Sequence, residues 1–267
     1  MIIDFHTHIF PDEIAERTIG KLEKVGNITA FTNGRLDGLK RSMRDSGIDL
    51  SVILPVVTKP VQFNSVNSFA AQITGQDGII SFGGIHPDSE DFKVQLKTIR
   101  DLGLLGIKLH PDYQDTYIDD PKYIRIIHHA TELGLIVIIH AGLDIGLPEP
   151  IHCTPKRVAR MLYQLDATEQ KIILAHMGGY DLWNEVEELI VGRNVFLDTS
   201  YSLGIMKDSQ FLRIVKEHGA DRILFATDSP WAGQKEAVEH LKAMDLTEEE
   251  LAMIFYKNAG KLLKMEV

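Results

Sequence analysis

Two histidines one residue apart near the N-terminus, in Asp4-Phe5-His6-Thr7-His8, set the first chemical expectation. On an extended strand, residues i and i+2 project to the same face, so both imidazoles can address one cation at about 2.0–2.1 Å. Further groups of this kind each follow a short apolar run: Ile85-His86, Lys108-Leu109-His110, Ile139-His140, Ala175-His176 and Ala226-Thr227-Asp228. Of 11 histidines, six stand at such positions and His152 lies in the loop after the fifth run. His128, His129, His218 and His240 fall on helical patterns and read as ordinary surface or partly buried residues. Burying His6, His8, His140 and Asp228 together without an ion between them would be costly, so the four read as ligands of a divalent metal.

Asp228 has two possible tasks. Its carboxylate can ligate the metal, and its second oxygen can take a proton from a water acidified by the ion to a pKa of about 7. His176 can stabilise charge developing on a substrate oxygen or transfer a proton itself. Lys108, between Ile107 and Leu109, must justify its burial. A neutral amine there can react with carbon dioxide to a carbamate that bridges two metals, an ammonium can bind a substrate carboxylate, and pairing with an acid such as Asp198 is the plain structural alternative. His86, His110, Tyr113, His152 and Trp231, at or just beyond the run ends, are candidates to line a substrate pocket. Asp4 shares the parity of His6 but sits deeper, behind the ligands. Cys153 reads as a small hydrophobe.

The elements that position these groups follow from the apolar pattern. Strands are expected at 2–6, 50–55, 79–85, 104–109, 135–140, 171–176, 194–198 and 222–227. Unbroken runs such as Leu135-Ile136-Val137-Ile138-Ile139 fit parallel strands covered on both faces. Helical periodicity marks 12–24, 36–46, 91–102, 123–133, 155–165, 182–191 and 235–244, and Gly103, Gly134 and Gly219 follow helices. Eight strand–helix units without a linker predict a single domain over 1–267, a closed (β/α)₈ barrel whose chemistry sits at the carboxyl ends of its strands. Residues 9–35 are an insertion after the first strand, and a capped terminal helix starts near Leu246. Segments 9–35 and 142–154 shape the substrate site.

Composition excludes several classes. With 28 basic and 38 acidic residues the formal charge is −10, against a nucleic-acid grip. The longest apolar stretch, 135–139, is far too short for a membrane span, and strand-like residues from Ile2 leave no room for a leader. One cysteine forms no intramolecular disulfide and fits a reducing cytosol. A small molecule is the expected partner, with homo-oligomerisation open.

Asp4-Phe-His-Thr-His8, Gly106-Ile-Lys-Leu-His-Pro111, Ile139-His-Ala-Gly142, Ala175-His-Met-Gly-Gly179, Thr227-Asp-Ser-Pro-Trp231 and Asn258-Ala259 occur in this order along the whole chain. In this the chain resembles the amidohydrolase superfamily, in its amidohydrolase-related branch, which contains the aminocarboxymuconate-semialdehyde decarboxylase-like enzymes. The resemblance implies a distorted barrel with one or two divalent ions; imidazole and carboxylate ligands accept several, zinc foremost and manganese also open. His6 and His8 match the paired ligands of strand one, His140 the ligand of strand five, and Asp228 the ligand and base of strand eight. His176 matches a histidine that ligates a second metal in binuclear members and acts on substrate in mononuclear ones. Lys108 falls where binuclear members carry a carbamylated lysine, a position that varies among decarboxylase-like members. The nuclease branch usually has a glutamate there. The expectation is a metal-dependent hydrolase of a C–N or C–O bond in a small carboxylate, such as a cyclic amide or lactone. The alternatives are a non-oxidative decarboxylase of an aromatic or unsaturated acid, and a metal-binding barrel without catalysis.

Overall fold

The computed structural model describes residues 1–147, 149–165 and 171–266, so residue 148 of the 142–154 segment lies outside the described residues. In chain order the strands and helices are β1 (Ile3–Thr7), α1 (Asp12–Gly26), α2 (Leu36–Ser46), β2 (Leu50–Ile53), α3 (Phe63–Ile73), β3 (Ile79–Ser81), β4 (Gly83–Gly84), α4 (Phe92–Asp101), β5 (Gly106–Leu109) and α5 (Pro121–Glu132). They continue with β6 (Ile136–Ile139), α6 (Pro155–Leu165), β7 (Ile172–Leu174), α7 (Trp183–Leu189), β8 (Phe196–Asp198), α8 (Asp208–His218), β9 (Ile223–Leu224), α9 (Gln234–Ala243), α10 (Glu248–Ala252) and α11 (Asn258–Leu263). Among the described residues no helix is long and apolar enough to cross a membrane. The chain divides into two compact units, the first of residues 1–53, 75–80 and 198–267, the second of residues 54–74 and 81–197.

In the first unit β1 is the central strand. It pairs in parallel with β2, Ile3 opposite Leu50 and Asp4 opposite Ser51, and β2 neighbours β3. On its other side Phe5 N–H donates to Phe225 O (2.9 Å) and Asp228 N–H to His6 O (2.8 Å). Beyond that segment Thr199 N–H donates to Leu224 O (3.0 Å) and Tyr201 N–H to Thr227 O (3.2 Å). Every residue of β1 is buried, Ile3 and Phe5 on one face and the polar Asp4 and His6 on the other, so these two need partners inside the fold. The insertion after β1 carries α1. The C-terminal helix is interrupted by a π-turn at Met253–Lys257, and the carbonyl of Ile254 within it accepts from Phe225 N–H (2.9 Å). Asn258 then caps two more carbonyls, Ala220 O and Ile223 O, at 2.8 Å each.

In the second unit β4 to β8 pair in parallel in chain order, and one register row runs Gly84, Lys108, Ile138, Ile173, Phe196. Two residues beyond the first three members of that row stand His86, His110 and His140, and the rings of the last two stack 4.0 Å apart. The expected strand 79–85 is broken at Phe82. Beyond the break the Asn67 amide donates to Gly84 O (2.9 Å) and accepts from Gly84 N–H (3.0 Å), standing where a strand neighbour would. His218 differs from expectation too, being completely buried at the end of α8.

Candidate metal centre

In the first unit, β1 delivers His6 and His8 to one face, and the turn after β9 delivers Asp228. His6 Nε2 lies 3.1 Å from His8 Nε2 and 3.4 Å from Asp228 Oδ1, and His8 Nε2 lies 3.1 Å from the same oxygen. Ligands arranged tetrahedrally at about 2.0–2.1 Å from one ion stand roughly 3.3 Å apart, so this triangle has the edges of a metal's coordination face. His6 Nδ1 lies 2.9 Å from Asp198 Oδ2, both side chains being buried. As donor in that bond, His6 carries its proton on Nδ1 and presents the Nε2 lone pair to the triangle. The other oxygen of Asp198 accepts from Ser200 N–H (3.0 Å) and from the Ser200 hydroxyl. Asp228 is held at φ 70°, a left-handed conformation that costs a non-glycine residue about 1–3 kcal/mol and concentrates at functional sites.

Asp4 lies completely buried behind this face. It accepts from His6 N–H, Thr227 N–H, the Thr227 hydroxyl and Gln234 Nε2 at 3.3, 3.0, 2.6 and 2.7 Å. Burial pushes its carboxyl up to about 7, against the lowering effect of those donors. Its bonds tie β1 to the segment that ends in Asp228. A cavity of about 350 Å³ in the same unit is lined by Ile28, Thr29, Ala30, Phe31, Tyr201 and Trp231.

In the second unit His110, His140 and His176 converge. His140 Nδ1 lies 2.9 Å from His176 Nε2, while its buried Nε2 has no hydrogen-bond partner among the described residues. Burial first, then the charges of His110 and His176, holds His140 well below the usual histidine range. A neutral ring that donates from Nδ1 to His176 presents a bare Nε2 lone pair, the form a metal ligand needs. His110 Nδ1 accepts from Tyr113 N–H (3.3 Å), so its Nε2–H points toward Asp144 Oδ2 at 3.3 Å. Asp144 thus joins His110 and His140 in a second cluster of ligand-type atoms. The His110 and His140 rings, however, stack 4.0 Å apart with planes only 12° from parallel. In-plane lone pairs of parallel stacked rings cannot meet on one ion, so this cluster is the poorer chelate. His176 sits in a backbone kink, with φ 59° there and 53° at Met177.

Lys108 is buried on β5, on the same strand face as His110. Tyr113 packs its ring 4.2 Å from that of His110. His86 accepts from Asp88 N–H at Nδ1 (3.1 Å), and burial lowers its pKa. His152 is turned to its own pair: its Nδ1 lies 3.0 Å from Asp112 Oδ1, which also accepts its N–H at 2.9 Å. Cys153 is buried and its thiol pushed up by burial, so it is the small hydrophobe its setting implied. Of the sequence candidates, then, His6, His8 and Asp228 come together in the first unit and His110, His140, His176 and Tyr113 in the second. Sequence reasoning missed Asp144 and Tyr201, and gave Asp198 no part beside His6. The one available signal for Asp198 was a carboxylate ending a strand.

A row of parallel strands ending in imidazoles and carboxylates, with one triangle spaced for an ion, defines an α/β enzyme scaffold of the metal-dependent kind. The profile of the Amidohydrolase family matches residues 3–265, and the chain belongs to that family. No curated protein sequence matches it. Among solved structures it is similar to 2,6-dihydroxybenzoate decarboxylase from Rhizobium, at 19% identity over 98% of each chain with a TM-score of 0.73. It is similar to 5-carboxyvanillate decarboxylase from Novosphingobium aromaticivorans, complexed with manganese and 4-hydroxy-3-methoxy-5-nitrobenzoic acid (18%, 99% of this chain, 96% of that one, TM-score 0.77). An uncharacterized TIM-barrel protein from Bordetella bronchiseptica matches at 18% over 98% of each chain, TM-score 0.77. These likenesses establish the fold as the α/β TIM-barrel type.

Proposed function

We propose that this protein is a divalent-metal-dependent lyase that removes carbon dioxide from a hydroxylated aromatic acid without oxidation. The observation that carries the reading is the His6–His8–Asp228 triangle, whose edges of 3.1 to 3.4 Å suit one ion. His140, whose Nε2 has no hydrogen-bond partner among the described residues, is the candidate ligand of the second unit, a role the family resemblance implies. Manganese is the favoured ion, since the carboxyvanillate decarboxylase holds it, and zinc is the alternative. When bound, the ion orients the carboxylate and phenolic oxygens of the substrate and draws electrons from its ring.

The chain's own residues supply the proton. Asp228 directs Oδ1 to His6 and His8, so Oδ2 is the atom that carries a proton to the ring carbon. As the C–C bond breaks, its electron pair takes up that proton and carbon dioxide leaves; solvent then reprotonates the carboxylate. His176 is the second candidate donor. Its Nε2 is engaged with His140 Nδ1, which supports a site with one metal. Hydrolysis of a cyclic amide or lactone is the reading Lys108 favours, through a carbamate bridging two ions, and similarity to aromatic-acid decarboxylases weighs against it.

The test is carbon dioxide release from dihydroxybenzoates and 5-carboxyvanillate by manganese-loaded protein, with metal content measured alongside. About one ion per chain and release from at least one acid is the expected result. Silence across the acids, together with lactone cleavage and about two ions per chain, would overturn it.

A further inference from the structure

The six-residue cavity of the first unit, about 350 Å³, contains three aromatic rings and no cationic side chain. A cavity of ~150 Å³ accommodates benzene, and drug-sized pockets begin near ~300 Å³, so there is room here for one substituted ring. Phe31 is anchored although its side chain is exposed. Its N–H donates to Pro230 O (2.7 Å), and its ring lies so close to Gly233 that a Cβ there would stand 2.9 Å from Phe31 Cδ1. Yet Phe31 remains 59% accessible, an apolar surface fixed in place and uncovered. Trp231 N–H donates to the backbone carbonyl of Asp228 (2.8 Å), so this wall is joined to the main chain of a residue of the metal triangle. The indole N–H of Trp231 has no protein acceptor among the described residues. Tyr201, at φ 49°, feels Asp228 as well: burial first, then that carboxylate's charge, raises its phenol.

We infer that Phe31, Tyr201 and Trp231 form a specificity pocket for the uncharged, hydroxyl-bearing edge of a single aromatic ring. No side chain of the lining is cationic, so the pocket offers a carboxylate no partner and suits the neutral edge of the ring. The rings stack on the ligand's faces, and the Trp231 indole N–H donates to its phenolic oxygen. This rests on the lyase reading for the identity of the acid, but the pocket is testable without turnover. Resorcinol, which has the ring and hydroxyls and no carboxylate, is the probe, with cyclohexane-1,3-diol as its saturated counterpart.

Binding is measured by calorimetry on the manganese-loaded protein. Resorcinol is expected to bind and the saturated diol to bind at least about tenfold more weakly, since it offers no ring face to stack. Phe31→Ala is expected to weaken resorcinol about tenfold. Trp231→Phe, which keeps a ring and removes the donor, should weaken it about fivefold. Both variants are checked for native circular dichroism. Equal affinity in wild type and both variants, or no binding of resorcinol at millimolar concentration, overturns the pocket whatever the enzyme turns over. Weakened binding in the variants without decarboxylation of any aromatic acid leaves the pocket standing and removes the lyase reading instead.

Discussion

Replacing Asp198 by Asn alters one atom of a side chain that touches no substrate, yet it should weaken metal binding sharply. Oδ2 of Asp198 holds the Nδ1 proton of His6 at 2.9 Å, and Oδ1 accepts from Ser200 N–H at 3.0 Å and from the Ser200 hydroxyl. An asparagine has one acceptor oxygen for these two sides. With its oxygen toward Ser200, its amino group faces His6 Nδ1, and the ring must move its proton to Nε2, the atom turned toward His8 and Asp228. With its oxygen toward His6, the amino group opposes the backbone N–H of Ser200. Either arrangement forfeits a buried hydrogen bond to a charged group, about 1.5–3 kcal/mol. That agrees with the 10- to 100-fold loss of affinity, roughly, that follows removal of a partner behind a metal-bound histidine. The assay is competition of the protein with a fluorescent chelator for manganese and for zinc, with far-ultraviolet circular dichroism to establish folding. A folded Asn variant whose affinity for both ions lies within about twofold of wild type would refute the assignment of His6 Nε2 as a ligand oriented by Asp198.

Asp228→Asn should keep the fold and lower decarboxylation at least about 100-fold, measured as carbon dioxide release at saturating metal. Chelation should lower the thermal midpoint: an ion present at about 100 times its dissociation constant stabilises by roughly 2.7 kcal/mol, and a dialysed sample with an unchanged midpoint would speak against a resident metal. Gly142→Ala should destabilise by about 3 kcal/mol or abolish folding, because φ is 89° and a Cβ would stand 2.1 Å from Tyr180 N; urea unfolding reads this. Thr247 caps α10 by accepting from Glu250 N–H (3.2 Å), while Glu250 accepts from Thr247 N–H (2.8 Å). Thr247→Ala should cost about 1 kcal/mol near neutral pH. These bonds hold the Glu250 carboxyl below its usual range, so the charged form is favoured in the folded state. The stabilisation is therefore present above the unfolded carboxylate range and lost as pH falls through the folded one, and the difference between variant and wild type in urea should narrow in acid.

Much of this arrangement is legible in the sequence because strand geometry has a strict period. His6 and His8 share a face as their spacing requires, and α2 and α6 run over the residues their apolar periodicity marks. The meeting of His110 and His140 follows from strand register. What is not legible depends on partners distant along the chain. Nothing local says that Asn67 will stand where a neighbour of Gly84 would, and the third strand reads as continuous. Asp198 reads as a strand-terminal acid until His6 is beside it, and Asp144 as a loop residue until His110 faces it. Lys108 pulled the chemical reading toward hydrolysis because a buried lysine has a known use there. A residue type does not fix a reaction when its neighbours decide its charge.

The π-turn at 253–257 ties the C-terminal helix to the segment that leads to Asp228. By widening the helix for one turn it turns the carbonyl of Ile254 outward to Phe225, three residues before Asp228, and one turn later Asn258 seizes the carbonyls of Ala220 and Ile223. The last helix thus acts as a splint, setting the height at which the strand before Asp228 emerges. Removing or adding one residue between Met253 and Asn258 would rotate one of these two grips away from the strand while leaving the other in place. The helix can change its exposed residues freely but cannot change its length there, and a shortened C-terminus would be felt as a misplaced carboxylate.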